Sequence, residues 1–180
     1  MKKKTERQVC QEVRKSIKQT WVNDWIYRIP DQIGANSAPR PFDMIWRPSN
    51  RPHMIGLELK KLNGSTLKRD EIRSQQDENL RHLEAIGDIG FIVVWINHVP
   101  KTQRKILEPY ITQFGPFREE RINIMVAIRA TEMNCQKMSI TEMFSFKRII
   151  EREKVNEFQM KGFKKPISWN LNCIRMEPQK

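Results

Sequence analysis

The sequence has few of the residues that build zinc centres or disulfide frameworks. Its three cysteines are odd in number and far apart, and its three histidines have neither metal-ligand spacing nor nearby cysteines. This pattern favours reduced, packed thiols in a cytoplasmic setting, and histidines with surface or packing roles. The residues concerned are Cys10, Cys135, Cys173, His53, His82 and His98.

Long apolar runs are also lacking. The longest, IGFIVVWI at residues 89–96, is too short to cross a bilayer and suits a strand that is buried on both faces. The first residues, MKKK, are followed by the polar stretch TERQVCQEVRKS, where a signal peptide would need an apolar region. We therefore expect a protein without a membrane partner.

Acidic residues are the minority among the charged ones. Lys and Arg number 33 against 21 Asp and Glu, so the net charge is +12 over 180 residues. Such an excess attracts polyanions, and the sequence offers no long basic amphipathic helix for a membrane surface. The length suits a single domain over residues 1–180. A basic, proline-punctuated connection at residues 98–120 is a candidate DNA-contacting insertion.

Hydrophobic periodicity and turn residues predict an α/β protein with a central mixed sheet flanked by helices. The five tryptophans lie in or beside these elements, so we expect them in the core rather than stacked on bases. The predicted helices cover residues 5–20, 69–85 (closed by Gly87) and 139–153, and the predicted strands cover residues 25–29, 41–46, 53–60, 89–96, 121–128 and 167–174.

Three charged residues interrupt two segments that are typical of buried strands. If residues 41–46 and 53–60 pair with Trp46 opposite His53, Asp43 lies opposite Gly56. The side chains of Asp43, Glu58 and Lys60 then share one face of the sheet.

In this register the two acidic residues are diagonal neighbours at roughly 7–8 Å. Two such carboxylates can bind one divalent cation, for which Gly56 would leave space. The alternative is a solvated Glu-x-Lys charge pair on an ordinary strand.

A glutamine lies on the inward stripe of the second predicted helix. Gln76 falls four residues from both Ile72 and Leu80. A buried amide needs a hydrogen-bond partner, since an unpaired one costs roughly 1–3 kcal/mol. Either Gln76 reaches water at the edge of the stripe, or a polar site on the sheet supplies its partner.

Four segments, PFDMIW, GLELKKLNGS, EIRSQQDENLRHL and IGFIVVWIN, together resemble the PD-(D/E)XK nuclease superfamily. The resemblance is strongest to Holliday junction resolvases of the RecU type and their phage-borne relatives, and weaker matches extend it over most of the chain. It implies a restriction-endonuclease-like core and a homodimer that cleaves branched DNA in a bacterial or phage-infected cell. The implied cofactor is Mg²⁺, for which Mn²⁺ can substitute.

The resemblance also implies roles for individual residues. Asp43 and Glu58 would bind the magnesium ion, and Lys60 would orient the attacking water or stabilise developing charge. Gln76 would contact substrate or water at the same site.

Family members also carry a glutamate on the first helix. Glu12 matches its distance from the next strand, Glu6 matches the helical face better, and Cys10 occupies the position without gaps; Glu12 is our candidate catalytic residue. The candidate nucleic-acid contacts are Arg28 (for which a plain salt bridge is an equal alternative), Lys61 and Lys68.

These expectations define three alternative functions. The first is a Mg²⁺-dependent, structure-selective endonuclease that resolves four-way junctions. The second is another nuclease of the superfamily, such as a restriction or repair endonuclease. The third is a non-catalytic nucleic-acid-binding protein on the same scaffold.

Overall fold

The computed structural model describes residues 4–30, 40–97, 99, 124–153 and 168–176. The predicted basic connection lies outside the described residues, apart from Val99, as does the start of the strand predicted at residues 121–128. Among the described residues, no helix has the length and apolar character needed to cross a membrane.

A seven-stranded mixed sheet forms the centre of the fold, in the order β1-β2-β3-β5-β6-β8-β9. Among the described strands only β3 and β5 pair in parallel, and helix α2 lies between them in the chain; a separate antiparallel pair joins β4 to β7. The strands are β1 Trp25–Arg28, β2 Met44–Arg47, β3 Ile55–Lys61, β4 Thr66–Lys68, β5 Ile89–Ile96, β6 Ile124–Arg129, β7 Lys137–Ser139, β8 Ile149–Glu153 and β9 Ser168–Trp169; the helices are α1 Glu6–Thr20, α2 Ser74–Ala85, α3 Ile140–Ser145 and α4 Asn172–Arg175.

Helices on both faces of this sheet confirm the predicted fold class. Helix α1 buries Val9, Val13 and Ile17 against the face that carries Leu57 and Leu59 of β3. Helix α2 lies on the opposite face. All eight residues of β5 are buried, as expected for the strand between the two layers.

Two predicted helices end or begin differently from their sequence pattern. The helix predicted at residues 139–153 stops at Ser145, because Lys147 adopts a left-handed conformation (φ 57°) and residues 149–153 pair with β6 instead. The helix predicted at residues 69–85 starts as a 3-10 turn, Arg69–Glu71, and α2 begins only at Ser74. Its predicted end is confirmed, with Gly87 at φ 93°.

The remaining differences concern short strands. The strand predicted at residues 167–174 is extended only at Ser168–Trp169 and then turns into α4. Strands β4 and β7, three residues each, were not predicted. Three residues are too few to show an alternation of apolar and polar side chains. In addition, β4 and β7 are defined by pairing with each other, which is a contact between distant parts of the sequence.

Helix α2 packs against the sheet at two glycines. A Cβ added at Gly90 would lie 2.4 Å from the backbone oxygen of Leu80, whereas one at Gly56 would lie 2.5 Å from the flexible end of the Leu83 side chain. Side chains at these two positions are therefore excluded for different reasons. The absence of a side chain at Gly90 lets the helix backbone approach the sheet. At Gly56 it makes room for the Leu83 side chain.

We expect Gly90→Ala to destabilise the protein more than Gly56→Ala. Overpacking costs typically 1–3 kcal/mol. Leu83 can rotate away at Gly56, so we expect about 1 kcal/mol there, against about 3 kcal/mol at Gly90, where α2 itself must move. Urea unfolding of both variants measures the difference, and equal losses would show that the helix backbone yields as easily as a side chain.

A buried carboxylate joins the last described helix, α4, to β2 and the turn that follows it. Asp24 accepts hydrogen bonds from the Trp46 indole (3.0 Å), from the backbone and hydroxyl of Ser49 (2.8 and 2.9 Å) and from the Arg175 guanidinium (2.9 and 3.2 Å). Although burial opposes ionisation, these bonds lower the pKa of Asp24 below its ordinary value. Asp24 thus anchors α4 to the β2–β3 turn.

Replacing this anchor by Asp24→Asn should cost about 2–4 kcal/mol at neutral pH, because Arg175 loses its buried partner and several donors lose a charged acceptor. Denaturant unfolding gives the value. The matched control is Asp70→Asn at an exposed position, for which we expect a change within about 0.5 kcal/mol. Similar small effects in both variants would contradict a stabilising role for Asp24.

Candidate active site

The hairpin of β2 and β3 is formed as predicted, but its register differs by two residues. Met44 lies opposite Leu57, and Ile45 opposite Gly56. Continued by one position, this register places Asp43 directly opposite Glu58. A shift of two preserves the alternation of faces, so the two acidic residues still share a face.

The expectation that Gly56 leaves room for an ion is wrong. Gly56 lies opposite Ile45, and the volume where a Cβ would stand borders Leu80, Leu83 and Phe42. This glycine therefore admits helix α2 instead.

Asp43 is held at the point where β2 begins. Its backbone N–H donates to the Leu57 carbonyl (3.0 Å), and its Oδ2 accepts from the Leu59 N–H at 2.8 Å. The other oxygen, Oδ1, is 2.6 Å from a guanidinium nitrogen of Arg40. Burial nevertheless raises the pKa of Asp43 above its ordinary value.

Glu58 is almost completely buried, with 1% of its surface exposed. Its Oε1 lies 3.0 Å from Lys60 Nζ, whereas its Oε2 has no hydrogen-bond partner among the described residues. Burial is the main reason that the pKa of Glu58 is raised to about 7, and the nearby charge of Asp43 adds to it. The site therefore holds two buried acidic groups, of which Glu58 keeps one oxygen without a donor among the described residues.

Gln76 reaches this cluster from α2. It is 2% exposed, and its Oε1 accepts from Lys60 Nζ at 3.4 Å and from the Arg73 N–H at 3.3 Å. Gln76 thus finds its partner in Lys60, a polar group on the sheet. This agrees with the second alternative in the sequence analysis, in which a polar site on the sheet supplies the partner. The same interaction with Arg73 caps the first turn of α2.

The first helix brings Glu6, rather than Glu12, to the carboxylates. Glu6 accepts from the Lys61 N–H at 2.7 Å, and its charge is among the influences that raise the pKa of Asp43. Glu12 pairs instead with Lys4 at 2.6 Å. The helical face was therefore a better guide than the distance along the chain, and the choice of Glu12 is corrected.

A cavity of about 150 Å³ opens beside Asp43. Two arginines of the cavity, Arg7 and Arg40, were not predicted from the sequence. Arg7 could have been found as the neighbour of Glu6, and Arg40 as a basic residue three positions before Asp43. Burial, aided by the charge of Asp43, raises the pKa of the Cys10 thiol to about 11, so this cysteine is unreactive. The residues that line the cavity are Glu6, Arg7, Cys10, Arg28, Arg40 and Asp43.

The three candidate nucleic-acid contacts differ in position. Arg28 lines the cavity next to Asp43. Lys61 is adjacent through its backbone bond to Glu6, while its ammonium lies over the Trp95 ring at 5.8 Å. Lys68 is exposed on β4 and is not joined to the cluster by a described contact.

The donor set suits a hard cation bound through two carboxylates. Among the described residues there is no cluster of three or more His, Cys, Asp or Glu side chains that could hold a metal ion. Mg²⁺, however, is commonly bound by one or two carboxylates together with water and substrate phosphate. The unpartnered Glu58 Oε2 and the raised pKa of both acids fit such an ion, because a cation would offset the cost of burying their charges.

Comparison with known proteins gives little further information. No family model matches the sequence, and no curated protein matches it. Among solved structures, the chain is similar to Hjc, a Holliday junction resolvase from the archaeal hyperthermophile Archaeoglobus fulgidus, with 14% identity and a TM-score of 0.33, over 72% of this chain and 93% of that chain. A similarity of this size establishes neither the fold nor the activity of the present chain.

The burial of Glu58 predicts that its charge destabilises the folded protein. Because its folded pKa of about 7 exceeds the ordinary value of 4.5, stability decreases as pH rises between these values. In EDTA we expect Glu58→Gln to gain about 1–3 kcal/mol at or above neutral pH and nothing below the ordinary glutamate pKa. Denaturant unfolding across this pH range measures the gain.

The control for this variant is Glu142→Gln. Hydrogen bonds from the Ser139 hydroxyl and backbone lower the pKa of the exposed Glu142, so its charge stabilises the fold above the ordinary pKa and the control should lose stability. A loss of stability in Glu58→Gln as well would mean that Lys60 fully compensates the buried charge.

Proposed function

We propose that this protein is a Mg²⁺-dependent endonuclease that hydrolyses DNA phosphodiesters at Asp43, Glu58, Lys60 and Gln76. The observation that carries the proposal is the convergence of these four side chains, from β2, β3 and α2, on one face of the sheet. The ammonium of Lys60 lies 3.0 Å from Glu58 and 3.4 Å from Gln76, and its charge also acts on Asp43. An ordinary solvated charge pair would not be buried to this degree.

Each group has a chemical task in phosphodiester hydrolysis. Asp43 and Glu58 would hold the ion, which when bound supplies a water nucleophile at neutral pH and offsets phosphate charge. Lys60 places a positive charge where negative charge develops on the phosphate. Gln76 orients Lys60 by accepting its hydrogen bond, and Glu6 secures the end of β3 next to them.

Branched DNA is the proposed substrate, and a homodimer the proposed form. The net charge of +12 favours a polyanion. The resemblance of the sequence to resolvases of the RecU type suggests a four-way junction, in which two symmetric strands are cut by two active sites. Mn²⁺ should substitute for Mg²⁺, because both accept oxygen ligands.

One observation favours a non-catalytic DNA-binding protein instead. The Arg40 guanidinium lies 2.6 Å from Asp43 Oδ1 and so supplies a positive partner for one of the two proposed metal ligands. If Arg40 were never displaced, the site would bind phosphate without hydrolysing it. Metal-dependent cleavage distinguishes the two functions.

The test incubates the protein with a labelled four-way junction and with linear duplex of matched sequence, in Mg²⁺, Mn²⁺ or EDTA. Paired symmetric nicks in the junction alone support the proposal. Cleavage of the duplex at a defined sequence would indicate a restriction or repair endonuclease. Binding without cleavage in any metal would indicate the non-catalytic protein.

Variants test the assignment of residues. We expect Asp43→Asn and Lys60→Ala to lower the cleavage rate at least about 100-fold while junction binding is retained. Binding itself should weaken steeply with salt, since phosphate contacts release counterions.

The matched pair Glu6→Gln and Glu12→Gln separates the two acids of α1, with loss of activity expected only for the first. Wild-type rates in both Asp43→Asn and Lys60→Ala would refute the site.

A further inference from the structure

The edge of the sheet next to the candidate site carries an uncovered pair of aromatic rings. On the face shared with Asp43, Trp25 of β1 lies opposite Arg47 of β2, and Tyr27 lies opposite Ile45. The next position along this ladder leads to Asp43, whose carbonyl accepts from the Ile29 N–H at 2.9 Å. The ladder thus runs from the two rings directly to a proposed metal ligand.

Both rings are exposed to solvent. Trp25 is 53% and Tyr27 47% exposed, and the rings lie nearly parallel (9°) with centroids 6.0 Å apart. The expectation that the tryptophans lie in the core holds for Trp46, Trp95 and Trp169 but is wrong for Trp25. Two large aromatic rings in contact with water and with each other are a surface that favours a partner.

The position of the helices explains why this surface is open. Helix α1 covers the opposite face, where Ile26 and Trp46 are buried. On the aromatic face, helix α2 packs mainly on β3 and β5, and Trp25 and Tyr27 of the edge strand β1 remain exposed among the described residues. The open surface and the carboxylates therefore lie side by side on one face.

The charges around the rings favour a nucleic acid as the partner. Arg47 lies directly opposite Trp25 on the same face and is exposed. Arg28 pairs with Met44 and so points to the face covered by α1, where it lines the cavity beside Asp43 at the end of the same ladder. Exposed aromatic rings with an arginine beside them are typical of surfaces on which bases stack while the backbone is neutralised.

We propose that Trp25 and Tyr27 form a stacking platform for an exposed nucleobase of the DNA substrate, an inference that rests on the proposed function. Two residues of a strand advance roughly 7 Å, so the rings lie about 7 and 14 Å along the ladder from Asp43. These distances correspond to about two and four base steps of 3.4 Å from the phosphate at the site.

The platform gives a physical basis for selecting branched DNA. Within a continuous duplex each base is covered by its neighbours, so an aromatic ring finds no free base face. A branch point or a single-stranded end exposes such faces. Stacking on the platform would then position a nearby phosphate at Asp43 and Glu58, whereas duplex would bind only through its backbone.

The test measures binding in EDTA, where cleavage plays no part, to a four-way junction, a single strand and a linear duplex. We expect Trp25→Ala and Tyr27→Ala each to weaken junction and single-strand binding about tenfold, and duplex binding less than about twofold. Trp25→Phe should retain most of the affinity. The control is Ile86→Ala, an equally exposed apolar side chain at the far end of α2, which should change none of the three.

A second measurement detects the stacking directly. A 2-aminopurine at the branch point should lose fluorescence on binding the wild type and Trp25→Phe, but not the double variant Trp25→Ala/Tyr27→Ala. Equal weakening on all three DNAs, or no weakening, would overturn the platform. Conversion of a dimer to a monomer by Trp25→Ala in sedimentation would also overturn it, because the rings would then contact a second copy of the chain.

The outcomes separate this proposal from the nuclease assignment. Stacking without cleavage in any metal would retain the platform and reject the nuclease. Cleavage with unchanged binding in the alanine variants would retain the nuclease and reject the platform.

Discussion

The hydrogen bond from the Leu59 N–H to the Asp43 carboxylate is the interaction on which the site depends. At this point β2 has not yet begun, and a side-chain oxygen of Asp43 takes the place of a β2 backbone acceptor for the Leu59 N–H of β3. Asp43 is thereby tied to the strand that carries Glu58, opposite it in the ladder. Two like charges are brought together in a buried place, and the raised pKa of both is the cost of that arrangement.

Helix α2 completes the site because it can approach the sheet closely. Gly90 allows the Leu80 backbone, and Gly56 the Leu80 and Leu83 side chains, to contact the strands. This approach brings the first turn of α2, with Gln76, within hydrogen-bonding distance of Lys60. Gly56, which was expected to leave space for an ion, is thus part of the packing that positions the polar side chains.

The sequence predicted those parts of the fold and of the candidate site that depend on local patterns along the chain. Alternation along a strand determines faces, so the common side of Asp43 and Glu58 survived a register error of two residues. The stripe of α2 likewise indicated Gln76. The helical face of α1 favoured Glu6, whereas the distance along the chain, which favoured Glu12, carries no information on where α1 crosses the sheet. The helix predicted at residues 139–153 is wrong over residues 149–153 for a related reason: these residues pair with β6, and this pairing outweighs their helical pattern.

Helix α2 covers one part of the sheet face that carries the candidate site and leaves another part exposed. In our proposals the two parts have different tasks, hydrolysis and DNA binding. Because α2 packs mainly on β3 and β5, Trp25 and Tyr27 remain exposed, within the described residues, at the β1 edge of the face that α2 shares with the carboxylates. In the proposed complex, a phosphate beside Asp43 would lie close to the arginines of the cavity, and the DNA that carries it would extend over Trp25 and Tyr27. An enzyme with a covered edge would read only the charge of the backbone. In the proposed function, the exposed aromatic edge would let base exposure, and hence branching, influence which phosphate reaches the site.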